Sequence, residues 1–125
     1  MPTMKQENEI RVERHGDVTL FDIKGDLTGA SEPFVKDAYR QADNEETRKI
    51  LLKFDENAYF NSDGIKVLIE LLAQTERNNQ QVGITGLSDH FKKIFNMVGI
   101  TKFAKISSTE GEALESLAGS AGNGK

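Results

Sequence analysis

Lys49-Ile50-Leu51-Leu52-Lys53-Phe54, then a loop from Asp55 to Asn61, then Ser62-Asp63-Gly64-Ile65-Lys66-Val67-Leu68-Ile69-Glu70-Leu71-Leu72-Ala73 is the stretch that decides the fold. The first six residues form a short, nearly continuous apolar run, which suits a central strand buried on both faces. In the second segment Ile65, Leu68, Ile69, Leu72 and Ala73 recur at i, i+3, i+4, i+7 and i+8, with Val67 and Leu71 widening the stripe. Lys66, Glu70, Gln74 and Arg77 mark a wet face, so the segment predicts an amphipathic helix ending near Asn78-Asn79. A buried strand leading into such a helix is half of a parallel βαβ unit.

The pattern repeats on either side. Val82 and Ile84 mark a strand, and Ser88 caps a helix carrying Phe91, Ile94, Phe95 and Val98. That helix stops at Gly99, placing Ile100 to pack back on Phe95. Phe103 to Ile106 reads as a last short strand, and Ser107-x-x-Glu110 and Thr109-x-x-Glu112 each fit a capping box before a short helix through Ala113, Leu114 and Leu117. Upstream, Ser31 reads as the N-cap of a helix through Phe34, Val35, Ala38, Tyr39 and Ala42, with Pro33 in its first turn. Further back, Ile10 and Val12 alternate with charged residues, His15-Gly16-Asp17 is a turn, and Val18 to Ile23 returns as a second strand. The order is ββαβαβαβα: an α/β domain with a mixed, mostly parallel sheet of about five strands and about four helices. Residues 1–7 are expected to be flexible, 8–118 to form the domain, and the Gly-rich 119–125 to be a disordered tail.

Composition narrows function. The 125 residues carry 16 Lys+Arg against 20 Asp+Glu, a net charge of −4, without a basic block. Nucleic acid is therefore a poor partner, and no apolar run is long enough for membrane insertion. The absence of Cys removes disulfides, thiolate zinc sites and Cys nucleophiles, and two His alone build no metal site. No cofactor motif is present, and a cytoplasmic location is the default.

In such sheets function gathers outside the carboxyl ends of the strands, here Gly25 to Thr28, Asp55 to Gly64 and Thr85 to Ser88. Asn61-Ser62-Asp63-Gly64 puts a hydroxyl and a carboxylate at a helix start, where free N–H groups and the dipole favour negative charge. Ser62 is the natural cap. A hydrolytic combination of Ser62, Asp63 and His90 lacks a nucleophile elbow. Asp55 as a phosphoacceptor lacks the extra carboxylates its cation needs, since the earlier strand end offers only Asp26.

Three segments together carry a resemblance. Gly25-Asp26-Leu27-Thr28, Ile50 to Phe54 leading to Asn61-Ser62-Asp63-Gly64-Ile65, and Gly86-Leu87-Ser88 with Phe91, Ile94, Phe95 and Val98-Gly99-Ile100 resemble the STAS domain family, whose best-known members are bacterial anti-sigma-factor antagonists. The resemblance implies a non-enzymatic switch that binds an anti-sigma factor or serine kinase-like protein and is released by phosphorylation of the serine just before the Gly. That position is Asp63 here, with Ser62 as the other candidate acceptor and Asn61 in place of the usual Asp. The expected partner surface comprises Asn61, Ser62, Asp63, Gly64, Tyr59, Phe60, Lys66, Glu70 and Asp26, with Tyr59 or Phe60 as anchor from the loop Glu56 to Phe60. The alternative function is that of a STAS subunit in an ABC-type lipid transport complex. Oligomeric state is left open.

Overall fold

In a computed structural model that describes residues 8–42 and 46–122, five strands form one sheet in sequence order. Strands β1 (Glu9–His15) and β2 (Val18–Lys24) make an antiparallel hairpin. Strands β3 (Lys49–Phe54), β4 (Gln81–Thr85) and β5 (Lys105–Ile106) then add parallel to β2 and to one another. The crossovers are α1 (Glu32–Ala42), α2 (Ser62–Arg77) and α3 (Asp89–Met97), and α4 (Glu110–Gly122) follows β5.

Period-2 alternation along β2 and β3 sorts the core into two parts. Phe21, Ile23, Ile50, Leu52 and Phe54 point to the side holding Val35 and Ala38 of α1, Leu68 and Leu72 of α2, and Phe91 and Phe95 of α3. Val18, Leu20 and Leu51 point to the other, where Ala113 and Leu117 of α4 cover them. Thr109 Oγ1 caps α4 by accepting from the Glu112 N–H at 3.1 Å, and Lys53 Nζ meets Glu110 Oε1 at 2.9 Å, tying that helix to β3.

Several local expectations are corrected. Ser31 does not cap α1: Thr28 caps a single 3-10 turn, Gly29–Ser31, that precedes it. The last strand is two residues rather than four, because Gly99 at φ 87° leads into a second 3-10 turn, Ile100–Lys102, and Phe103 closes that turn. Ile100 is buried beside Phe95 as expected, whereas Val98 is exposed. Ile69 is also exposed, at 37%, since the buried arc of α2 runs through Val67, Leu68, Leu71 and Leu72, with Ile65 half-buried beside it. Helix α4 continues past Leu117 to Gly122. The expected flexible residues 1–7 and the last three residues of the expected tail, 123–125, lie outside the described residues.

Candidate functional site

The loops leaving β2 and β3 are laced together before either reaches a helix. The Leu27 N–H donates to the Tyr59 carbonyl at 2.9 Å, and the Asn61 N–H donates to the Leu27 carbonyl at 3.1 Å. Leu27 and Phe60 thus form an isolated parallel bridge beyond the ends of their strands. Asp26 Oδ1 accepts the Tyr59 N–H at 3.0 Å. Asp26 is half-buried, and this bond to the backbone helps hold the loop.

Asn61, not Ser62, caps α2: its Oδ1 accepts the Gly64 N–H at 2.8 Å from an extended backbone. Both residue types cap well, and the position of the helix start selects between them. The Ser62 hydroxyl is consequently exposed and not committed to the cap. Gly64 is buried because α2 docks here on the β2 loop. A Cβ on Gly64 would lie 1.9 Å from the Leu27 carbonyl oxygen. Next to it, Asp63 is exposed in the first turn of α2, near enough to Gly29 that a Cβ there would lie 3.4 Å from the Asp63 Cβ. The neighbouring turn is closed by a capping box, with Ala30 N–H on Thr28 Oγ1 at 3.1 Å and Thr28 N–H on Ser31 Oγ at 3.0 Å. The Asp63 carboxylate therefore sits at the positive end of α2, in water and against a tight backbone turn.

The two aromatic candidates separate. Phe60 is 3% exposed and packs on Phe54, Phe91 and Phe95 with ring centroids at 5.1, 5.0 and 5.0 Å, so it is a core residue and not a partner anchor. Tyr59, one residue earlier and on the opposite side of the chain, is 57% exposed and touches Phe91 only edge-on at 5.7 Å.

Along the first half of α2 the exposed positions are Ser62, Asp63, Lys66, Ile69 and Glu70, spaced i, i+1, i+4, i+7 and i+8. They make one continuous face. The sequence reading assigned Ile69 to the core and so missed that an isoleucine lies in the middle of the charged stripe. The one signal that could have found it is the width of the apolar stripe, too broad for a single sheet to cover.

No hydrogen bond among the described residues joins Ser62, Asp63 and His90, and the exposed His90 ring lies edge-on to Phe91 at 4.9 Å. Among the described residues no cluster of three or more His, Cys, Asp or Glu could hold a metal, and no helix is long and apolar enough to cross a membrane.

Comparison with known proteins bears on the fold and the family. An anti-sigma-B factor antagonist from Listeria monocytogenes is 24% identical over 100 residues, covering 80% of this chain and 88% of that protein. The crystal structure of an anti-sigma factor antagonist from Mycobacterium paratuberculosis superposes with a TM-score of 0.73 at 16% identity, over 89% of this chain and 94% of the other. The phosphorylated form of the Bacillus cell fate determinant SpoIIAA gives 0.56 at 16% identity, over 86% and 97%. The STAS domain matches residues 9–113 directly, the span from β1 into the first turns of α4. The chain belongs to the STAS domain family.

Proposed function

We propose that this domain is a non-enzymatic, protein-binding regulator of the anti-sigma-factor antagonist type, acting in the cytoplasm. The exposed face of α2 and the loop before it are where it meets an anti-sigma factor of the serine-kinase kind. The observation that carries this reading is Ile69, an exposed isoleucine between Asp63, Lys66 and Glu70 on a helix whose other apolar residues are buried or half-buried. An apolar centre with a charged surround is the anatomy of a docking surface. Tyr59, exposed on the preceding loop, adds an aromatic side chain of the type enriched among hot spots.

Asp63 stands where the resemblance places a phosphorylated serine. A carboxylate carries about one negative charge against about 1.5 to 2 for phosphoserine, so Asp63 imitates the modified state in part. Binding to a kinase that requires the unmodified form is expected to be weak, and Asp63→Ser is expected to strengthen it. The substitution removes a helix-dipole contact of about 0.3 to 1 kcal/mol, so melting is followed alongside binding. The test is titration against a purified kinase-type anti-sigma factor from the same genome, using the unaltered chain, Asp63→Ser, Tyr59→Ala and Ile69→Glu. Tighter binding by Asp63→Ser, with loss by Ile69→Glu and Tyr59→Ala at unchanged fold, supports the reading. Four indistinguishable curves would remove it. Because the Ser62 hydroxyl is not used by the cap, intact mass of protein from the native host, with and without phosphatase, tests it as an acceptor. A phosphatase-sensitive gain mapped to Ser62 replaces the fixed charge at Asp63 with a reversible one beside it.

A further inference from the structure

The sheet has two edges, and they are unequal. At one end β5 offers two residues, too few to template another strand. At the other β1 runs seven residues, paired to β2 on its inner side and, among the described residues, to nothing on its outer side. The alternation of an antiparallel ladder leaves the N–H and C=O of every second β1 residue directed outward.

Charge decides what fits there. In Glu9-Ile10-Arg11-Val12-Glu13-Arg14-His15, residues 9, 11, 13 and 15 share one face, and Ile10, Val12 and Arg14 share the other. A second β1 related by a two-fold axis normal to the sheet keeps each side chain on its own face, so the axis must pass through a residue. Centred on Val12, all seven positions pair. Arg11 then meets Glu13 of the second copy, Glu9 meets its His15, Ile10 lies along the stem of its Arg14, and Val12 meets itself. Centred on Arg11 or Glu13, the overlap shrinks to residues 9–13 or 11–15, and arginine opposes arginine or glutamate opposes glutamate. Like charges directly opposite are destabilising, so one register is favoured over its neighbours.

We propose that the outer edge of β1 is an interface to a second copy of this chain, pairing antiparallel about Val12 to form a continuous ten-stranded sheet. The Arg11 guanidinium already bonds Asp22 at 3.1 Å and Glu13 at 3.3 Å, yet 65% of its side chain is exposed, which leaves it open to a carboxylate arriving from the edge. Charges on an edge strand ordinarily repel other strands. Here the same charges exclude foreign edges and admit their own sequence, because the pattern becomes its complement when reversed.

The test is sedimentation equilibrium of the full chain over a concentration series, with circular dichroism confirming the fold of each variant. The unaltered chain is expected to approach twice the chain mass and to dissociate more readily in high salt. Glu13→Arg, which sets arginine against arginine, is expected to raise the dissociation constant about tenfold or more. Adding Arg11→Glu to it exchanges both signs and is expected to recover the dimer. The chain has no cysteine, so Val12→Cys reports on the axis directly. It is expected to form a reducible dimer on mild oxidation far faster than Glu115→Cys on exposed α4. A monomer at every concentration overturns the proposal, as does a dimer indifferent to Glu13→Arg or one in which the two cysteine variants crosslink alike. None of these outcomes bears on the α2 surface.

Discussion

At Gly64 a methyl group separates a docked helix from a displaced one. Alanine has the better helix propensity, by roughly 0.5 to 1 kcal/mol, so in isolation the substitution would stabilise α2. The Cβ would lie 1.9 Å from the Leu27 carbonyl oxygen, and backbone cannot swing aside as a side chain does. Overpacking costs typically about 1 to 3 kcal/mol and wins. Gly64→Ala is therefore expected to lower stability in denaturant melts and to pull α2 away from the β2 loop. An unchanged or raised midpoint would contradict the close approach. The motif Asn61-Ser62-Asp63-Gly64 announces a helix start and the resemblance places a glycine there, but the backbone approach that requires it is not visible in the sequence. Which of Asn61 and Ser62 caps is not visible either, because both side chains accept from backbone amides and the choice depends on one dihedral at the boundary.

Helix α2 shows how far periodicity reaches at the scale of an element. Its stripe of Ile65, Val67, Leu68, Ile69, Leu71 and Leu72 spans more of the circumference than one sheet can cover. The helix was legible, and the arc it buries was not. Leu68 and Leu72 are within 2% of complete burial, so Leu68→Ala or Leu72→Ala is expected to cost about 2 to 5 kcal/mol. Ile69→Ala, at an exposed position, is expected to fall near the surface scale of about 0.5 kcal/mol. Comparable losses at Leu68 and Ile69 would refute the orientation of the helix. The same ambiguity ran through Tyr59-Phe60: a pair of adjacent aromatics in a loop shows no period, and only the Leu27 bridge sends one ring inward and leaves the other out.

Over the whole molecule, alternation of apolar runs with amphipathic segments made the chain order readable, while β5, at two residues, was too short to leave a pattern. Charge adds a pH dependence. The buried ammonium of Lys49, at the start of β3, meets Asp17 of the hairpin turn at 3.0 Å. Its hydrogen bond holds the Asp17 carboxyl below the ordinary aspartate value. A carboxyl lowered on folding stabilises the protein above its unfolded pKa and loses that contribution as pH falls through the folded value, here below about pH 4. Asp17→Asn is expected to melt lower than the unaltered chain at neutral pH, with the gap narrowing as pH falls below the ordinary aspartate value and closing as it passes through the lowered native one. A gap independent of pH would exclude the ion pair as its source.

The lacing of Leu27 to Tyr59 and Asn61 has a consequence for chains that fail. The bond between Asp26 and the Tyr59 amide closes a span of 33 residues, a closure whose entropic cost must be met by the packing of α1 and β3 between its ends. Until that packing is complete, neither the start of α2 nor the position of Tyr59 is defined. A nascent, truncated or damaged copy therefore lacks a formed surface at the start of α2, and only the completed fold displays it.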